Sequence, residues 1–182
     1  MKTLLIVSHP YPEQSQVIKA LQQTAEALPN VTVRNLETLY GHDTSAFDVA
    51  AEQWAHKGVD RVVYLFPIHW FNLTPMLKAY LNQVWSYGWA FGPEGKALHG
   101  KQMQVVVSAG ATVHTYSAAG LIQSSIQEVL TPMKASALYV GMSYAEPLAL
   151  FEAMGASDDK LAGFQQALRA CLTAPQLDAV PA

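Results

Sequence analysis

The chain has 182 residues, of which 51% are hydrophobic and 14% are charged, and its formal net charge is −3. A chain of this length can bury a full core as one domain, so we expect one domain rather than two. Its 11 basic and 14 acidic residues give no electrostatic footprint for DNA or RNA, and we expect no nucleic-acid partner.

The cysteine content and the hydropathy bear on the compartment. Cys171 is the only cysteine, so the chain has no internal disulfide. The apolar run at residues 4–7 is too short for a signal-peptide core. No stretch approaches the roughly 20 apolar residues of a membrane-spanning helix. We therefore expect a soluble cytoplasmic protein.

The first 60 residues predict two strands and two helices. Residues 3–8 form a continuous apolar run, typical of a strand buried on both faces, and residues 31–36 alternate like a less buried strand. Ser15 is a candidate cap for the helix between them, whose inner stripe comprises Val17, Leu21, Ala25 and Leu28. Ser45 and Asp48 form a candidate capping box for a second helix that runs to about Lys57.

The remainder predicts three more strands and three more helices. Strands are expected over residues 61–66 and 104–108, and a fifth strand is expected to start over residues 137–140. Helices are expected after Thr74-Pro75, over residues 121–130 up to Pro132, and from a cap at Ser157 through Leu168. We assign residues 1–172 to a single domain and expect the Ala- and Pro-rich tail, residues 173–182, to be frayed.

Five strands that alternate with five helices predict an α/β fold, with a five-stranded parallel sheet covered by helices on both faces. The common small arrangement of this kind has the strand order 2-1-3-4-5. Ligands in such sheets bind beyond the carboxyl ends of the strands, near the point where the order reverses. The loops after strands one, three and four are therefore the candidate functional site.

The first of these loops, residues 8–16, is a candidate anion site. It lacks the glycine patterns of dinucleotide and nucleoside-triphosphate loops, but it offers a hydroxyl and free amides at a helix N-terminus. His9 adds a donor or a positive charge that can face a phosphate. The alternative is that Ser15 only caps the helix and that His9 hydrogen-bonds within the loop.

The second and third loops combine apolar walls with hydrogen-bond donors. Residues 67–74 place Trp70 and Phe71 directly after a buried strand, where they can pack beside a flat heterocycle. Residues 108–116 contain small residues that let a ring lie close to backbone amides, together with candidate donors at Thr112, His114 and Tyr116. The alternatives are core aromatics under the second loop and a plain turn in the third.

An aromatic segment, residues 85–91 (WSYGWAF), lies in the long connection before the fourth strand. Such a patch is covered by its own domain or by a second subunit, and we favour a subunit contact and hence a homodimer. His42, His56 and His99 lack metal-ligand spacing, so we assign them to the surface or to loops and expect no metal. The chain has no nucleophile elbow, no H-E-x-x-H and no C-x-x-C.

Read together, the loops resemble those of the flavodoxin-like NAD(P)H:quinone oxidoreductase family. The resemblance is strongest to its short bacterial members, which include ancillary flavoproteins of glutathione-regulated potassium-efflux systems. It covers about residues 1–150 and is carried by LLIVSHPYPEQSQ, FPIHWFNLTPMLKAYLNQVWSYGWAFG, GKALHGK and SAGATVHTYS. It implies a flavodoxin-like three-layer sandwich with a flavin at the three loops.

Matched residue by residue, the resemblance implies that the flavin phosphate is bound by His9, Ser15, Gln16 and Val17. The flavin ring is expected along Pro67, Ile68, His69, Trp70 and Phe71, and against a turn formed by Ser108, Ala109, Gly110 and Ala111. Tyr116 coincides with an active-site tyrosine of the larger members, so a catalytic role and a flavin contact are expected there. His114 is the candidate that replaces the catalytic histidine of those members as a donor. The chain departs from the family at Ile18, often an asparagine there, and at Ile122, a catalytic histidine in the larger members.

The resemblance implies an enzyme in which NAD(P)H, as co-substrate, gives hydride to flavin N5 and a quinone-like acceptor takes the electrons in a second, ping-pong step. FMN is preferred over FAD, because the larger FAD-binding relatives have extra C-terminal sequence. The alternative function is an ancillary regulatory subunit of a potassium-efflux antiporter, which would lie at the inner membrane. A flavodoxin-like electron carrier is a more remote alternative.

Overall fold

The computed structural model describes residues 1–175, which form six parallel strands with helices on both faces of the sheet. The strands are β1 (Thr3–Val7), β2 (Val31–Asn35), β3 (Arg61–Pro67), β4 (Gln102–Ser108), β5 (Ser143–Tyr144) and β6 (Leu148–Leu150). The helices are α1 (Gln16–Glu26), α2 (Leu36–Tyr40), α3 (Val49–Ala55), α4 (Pro75–Val84), α5 (Ile126–Val129), α6 (Thr131–Tyr139) and α7 (Asp158–Thr173).

The sheet order is β2-β1-β3-β4-β5, with β6 also paired to β4, so the predicted order is confirmed. The predicted single fifth strand is instead two short strands, β5 and β6, which pair with opposite ends of β4. The order reverses between β1 and β3, both of which pair in parallel along their length. The carboxyl ends of β1, β3 and β4 therefore lie side by side at one edge.

Alternate residues of the central strands point to opposite faces of the sheet and pack into two separate cores, as expected for a sheet covered on both faces. Leu4 and Ile6 of β1 pack in one core and Leu5 and Val7 in the other, all fully buried. The first core lies under α2 to α6, and the second lies under α1 and α7. Continuous burial of this kind is why β1 was recognisable as an unbroken apolar run.

Six of the seven described α-helices start at a side-chain cap, and the sequence predicts three of these caps. Ser15 Oγ accepts from the N–H of Ile18 (3.1 Å), and the hydroxyls of Thr74 and Ser157 cap α4 and α7 in the same way. The predicted box at Ser45 is wrong, because Ser45 hydrogen-bonds to Asp43 instead. Asp48 alone caps α3 through the N–H of Ala51.

The region from residue 121 to residue 140 differs most from expectation. The predicted helix over residues 121–130 is wrong at its start: Leu121 is 88% exposed, and the helix α5 begins only after the Ser125 cap. Pro132 lies in the first turn of α6 and starts a helix rather than ending one. The predicted strand at 137–140 is also wrong, because its first three residues complete α6.

Two further assignments are corrected or extended by packing. His56 is 1% exposed rather than at the surface, and its Nδ1 lies 2.9 Å from the carbonyl of Glu52. Helix α7 runs through Thr173, and the buried guanidinium of Arg61 donates to the carbonyl groups of Cys171 and Ala174. Residues 176–182 of the predicted tail lie outside the described residues. None of the described helices is long and apolar enough to cross a membrane.

Candidate functional site

A cavity of about 550 Å³ lies at the carboxyl ends of β1, β3 and β4, beside the point where the strand order reverses. Many predicted binding residues line it: His9, Ser15, Gln16, Val17, Pro67, Ile68, His69, Ser108 and Gly110. Seven other candidates lie outside its wall, namely Trp70, Phe71, Ala109, Ala111, Thr112, His114 and Tyr116. The three loops chosen from the sequence therefore meet at one site.

The first wall of the cavity is the N-terminus of α1. The hydroxyl of Ser15 caps the N–H of Ile18, which leaves the N–H groups of Gln16 and Val17 as donors of the first turn. Such donors, at the positive end of the helix dipole, favour an anion such as a phosphate. Ser15 is thus a helix cap that also borders an anion-binding surface.

His9 stands beside this helix end and faces His69. The Nδ1 atom of His9 accepts from the N–H of Tyr11 (2.9 Å), so the proton of the neutral ring sits on Nε2. Burial is the main cause that lowers the pKa of His9, and the charge of His69 lowers it further. His9 is therefore a neutral donor through Nε2 at neutral pH.

The second wall continues into a strained two-residue turn. The backbones of His69 and Asn72 exchange two hydrogen bonds of 3.0 Å, and Trp70 and Phe71 between them have φ values of 49° and 59°. This geometry favours Gly or Asn, and holding bulky side chains in it costs roughly 1–2 kcal/mol per residue. Strain of this kind clusters at ligand clamps and active sites.

The strained turn does not bury its aromatic side chains. Trp70 is 90% exposed and projects its indole into solvent, so it is not a core residue. Phe71 packs edge-on against Tyr116, with ring centroids 6.1 Å apart. The alternative reading of two core aromatics is thus wrong for Trp70.

The third wall is the Ser108–Ala111 turn, which is hydrogen-bonded to the last residue of β6 and to the chain after it. Ala109 donates its N–H to the carbonyl of Leu150 and accepts from the N–H of Ala153, each at 3.0 Å. The N–H of Ala109 is therefore engaged, and the amides that this turn can offer to a ligand are those of Gly110 and Ala111. A methyl group added at Gly110 would meet only the side-chain tip of Met154, at 3.6 Å.

Sequence reasoning missed the segment after β6, which closes the fourth side of the cavity. It contributes Ala153, Met154, Gly155, Ala156 and, from α7, Leu161. These are small or apolar residues with no chemistry of their own. The one available signal was their position after the last strand of the sheet.

The two catalytic candidates lie in different surroundings. Tyr116 is 8% exposed and packs between Phe71 and Phe151, and burial raises the pKa of its phenol. It is thus a protonated donor at neutral pH. His114 is exposed, and its carbonyl accepts from the hydroxyl of Ser117. Tyr116 connects to the second loop through Phe71, whereas His114 makes no comparable contact.

A buried polar network under the cavity was also missed. Ser8 is fully buried and donates its hydroxyl to Glu37 Oε1 (2.7 Å), and its Oγ also contacts Oγ1 of Thr74. Thr74 is the cap of α4, so this network joins the end of β1 to α2 and to the start of α4. It fixes the spacing between the first and second loops.

A family model described as a flavodoxin-like fold matches residues 1–173. Two proteins of Bacillus subtilis (strain 168) are similar in sequence. General stress protein 14 is 40% identical over 151 residues, covering 83% of this chain and 85% of the relative. A protein described as the uncharacterized NAD(P)H oxidoreductase YdeQ is 38% identical over 162 residues, covering 89% of this chain and 81% of the relative.

Solved structures share the fold over nearly the whole chain. General stress protein 14 of Treponema denticola, in complex with FMN, has a TM-score of 0.85 at 36% identity, covering 94% of this chain and 96% of that chain. An NADPH-quinone reductase from P. pentosaceus has a TM-score of 0.87 at 27% identity, covering 97% of this chain and 100% of that chain. A chain described as a thermophilic tryptophan halogenase from Streptomycin violaceusniger has a TM-score of 0.91 at 36% identity, covering 95% of this chain and 99% of that chain.

Proposed function

Because this chain belongs to the flavodoxin-like fold family, we propose that it is a flavin-dependent NAD(P)H:quinone oxidoreductase that binds FMN at the carboxyl ends of β1, β3 and β4. The observation that carries the proposal is the helix N-terminus of α1, with His9 beside it, facing a cavity bordered by a strained aromatic turn. An anion site and an exposed aromatic surface are thus held within one loop cluster.

The residues present fit FMN rather than a bare phosphate. The N–H groups of Gln16 and Val17 suit a phosphate dianion, and a neutral His9 adds one donor. Pro67, Ile68 and Gly110 give an apolar wall on which a flat ring can lie, and the cavity volume is in the range of small-molecule sites. The FMN complex of the Treponema denticola relative supports FMN over FAD.

The names of two relatives support the redox activity. One is described as an NAD(P)H oxidoreductase and another as an NADPH-quinone reductase. The halogenase description belongs to a third relative with the same fold, and a shared fold does not by itself transfer chemistry. We therefore base the substrate class on the two redox relatives and on the aromatic mouth of the cavity.

A bound flavin would supply the redox chemistry, a two-electron exchange between NAD(P)H and a quinone. The chain's own residues position the reactants. We assign to the amides of Gly110 and Ala111 the stabilisation of negative charge at the ring edge. Trp70 stacks on the incoming ring, and the phenol of Tyr116 donates a hydrogen bond or a proton to the acceptor oxygen.

We also propose that the protein is a homodimer. Within the aromatic segment Trp85 is buried in its own domain, but Tyr87 remains exposed beside Phe91, which in turn packs against the exposed Tyr139. A contiguous exposed aromatic patch of this kind favours a second copy as its cover. A change of Tyr139 to Glu should convert the dimer to a monomer in sedimentation equilibrium. No feature of the described residues favours a potassium-efflux partner, and the proposal does not include one.

Steady-state kinetics test the proposed reaction. The initial rate of NADPH oxidation is measured at several fixed concentrations of 1,4-benzoquinone, with FMN-loaded protein. A shared pocket used in turn predicts parallel double-reciprocal lines, since NADP⁺ leaves before the quinone binds. A rate no higher than that of free FMN at the same concentration would contradict the proposal.

A further inference from the structure

A second cavity, of about 510 Å³, lies beside the amino ends of β3 and β4, at the opposite end of the strands from the proposed flavin site. It is formed by α3, the connection to β3, and the chain before β4, and it shares no lining residue with the first cavity. Its volume is in the range of small-molecule sites. The residues that give it chemical character are Trp54, His56, Lys57, Trp89 and Lys101.

His56 lines this cavity and has a buried side-chain atom without a hydrogen-bond partner. Its Nδ1 lies 2.9 Å from the carbonyl of Glu52, and because a carbonyl only accepts, Nδ1 carries the proton. The Nε2 atom is then a bare acceptor, and it has no hydrogen-bond partner. Burial lowers the pKa of His56 to about 4, so the ring is neutral at pH 7. Of the residues that line this cavity, His56 alone has a buried side-chain atom without a partner.

Two ammonium groups give the cavity a positive field. Lys57 Nζ lies 4.4 Å from the ring centroid of Trp54, and Lys101 Nζ donates to the carbonyl of Val59 at 2.7 Å. Lys101 therefore retains two further N–H donors. Of the neighbouring carboxylates, Glu52 is buried and paired with Arg34, whereas Asp60 accepts from the backbone N–H of Lys2 and keeps its negative charge near Lys101, so Lys57 is the unopposed cation of the cavity.

Two indoles supply flat walls. Trp54 is 69% exposed although it lies on a helix that packs against the core, and Trp89 meets the His56 ring edge-on with centroids 5.3 Å apart. Aromatic faces beside ammonium groups bind planar ligands that carry negative charge. We propose that this cavity is a second ligand site, which binds a planar aromatic monoanion through stacking on Trp54, pairing with Lys57 and Lys101, and a hydrogen bond donated to His56 Nε2.

Isothermal titration of the FMN-loaded protein tests the site with three probes. The probe 4-hydroxybenzoate carries the ring, the charge and the donor, 4-methoxybenzoate lacks the donor, and 4-hydroxybenzamide lacks the charge. We expect saturable binding of 4-hydroxybenzoate and a dissociation constant about tenfold higher for each of the other two. Binding of all three probes with equal affinity would overturn the recognition by His56 and the lysines.

Variants locate the binding. Lys57→Gln and Trp54→Ala should each weaken 4-hydroxybenzoate binding about tenfold, because they remove a charge and a stacking face from exposed positions. Lys78→Gln, a matched loss of charge at an exposed position of α4, should leave the dissociation constant unchanged. Trp70→Ala at the flavin cavity should leave it unchanged as well.

The result is independent of the redox proposal, since the readout is binding at the opposite end of the strands. The Lys57 and Trp54 variants should keep the wild-type rate of NADPH oxidation. The inference is overturned if 4-hydroxybenzoate shows no saturable binding. It is equally overturned if binding survives both of those variants or is lost in Trp70→Ala.

Discussion

His9 and His69 follow β1 and β3, line the same cavity, and repel each other when protonated: after burial, the charge of His69 is the second cause that lowers the pKa of His9. A positive charge on His69 therefore disfavours a second positive charge on His9. An anion between them would relieve that repulsion.

Replacing His69 by Gln should raise the pKa of His9. The value should stay below the ordinary 6.5, because burial, the larger cause, remains. A ¹H–¹³C NMR titration of the His9 imidazole in the flavin-free protein measures the change. A pKa of His9 that stays the same or falls in the variant would show that the two rings do not interact.

The strain at Trp70 predicts that the same substitution has opposite effects at two positions. Trp70→Gly removes an exposed side chain from a left-handed conformation and should raise the free energy of unfolding by about 0.5 kcal/mol, after the entropy of the added glycine is subtracted. Trp54→Gly, in helix α3, should lower it by about 1 kcal/mol.

Urea unfolding of the flavin-free proteins measures both changes, and quinone turnover completes the comparison. Trp70→Gly should lower turnover at least fivefold in spite of its higher stability, since it removes the stacking face. A destabilised Trp70→Gly protein with normal turnover would contradict both the strain and the role of the indole.

Ser15 and Asp48 cap two helices in the same manner, but only Ser15 lines the cavity. Changing each of them to Ala therefore distinguishes the effect of capping from the effect of ligand binding. Each change to Ala should lower the free energy of unfolding by about 1 kcal/mol. The Ser15 hydroxyl can also donate to a phosphate, so Ser15→Ala should raise the dissociation constant of FMN about tenfold. Asp48→Ala should leave it unchanged. Fluorescence quenching of FMN measures the binding, and equal FMN affinity in the two variants would remove Ser15 from the site.

Local signals predicted those parts of the fold that neighbouring residues determine. Thr74 and Pro75 specify a helix start through one hydroxyl and one fixed φ, and the structure has that cap. The 137–140 run was misread because a short apolar stretch does not distinguish the end of a helix from a buried strand. Pro132 is expected to end a helix, but proline is also common in the first turn of a helix, and in the structure it lies in the first turn of α6.

The sequence predicts those parts of the candidate site that the order of the strands determines. It does not predict the parts that depend on packing between distant segments. The three loops follow from the strand order, because parallel strands bring their carboxyl ends to one edge. The burial of His56 and the Ser8–Glu37 hydrogen bond depend on contacts between distant segments, so no local sequence pattern predicts them. The strain at Trp70 is likewise invisible in sequence, because a Trp-Phe pair is not a turn signal.

Tyr116→Phe should separate the two half-reactions. The ring still packs between Phe71 and Phe151, so FMN affinity and flavin reduction by NADPH should not change. The step that reduces the quinone should slow at least tenfold, because a protonated donor is lost. Stopped-flow absorbance resolves the two steps, and Tyr144→Phe on β5 is the matched control with no expected effect. An unchanged quinone step would remove the role of Tyr116.

The absorption spectrum of the freshly purified protein, with mass spectrometry of any chromophore released on denaturation, tests the central claim most directly. The account predicts a yellow protein that shows the two flavin bands and releases FMN in a ratio near one per chain. A colourless protein that stays colourless after incubation with FMN or FAD and removal of the excess would contradict it.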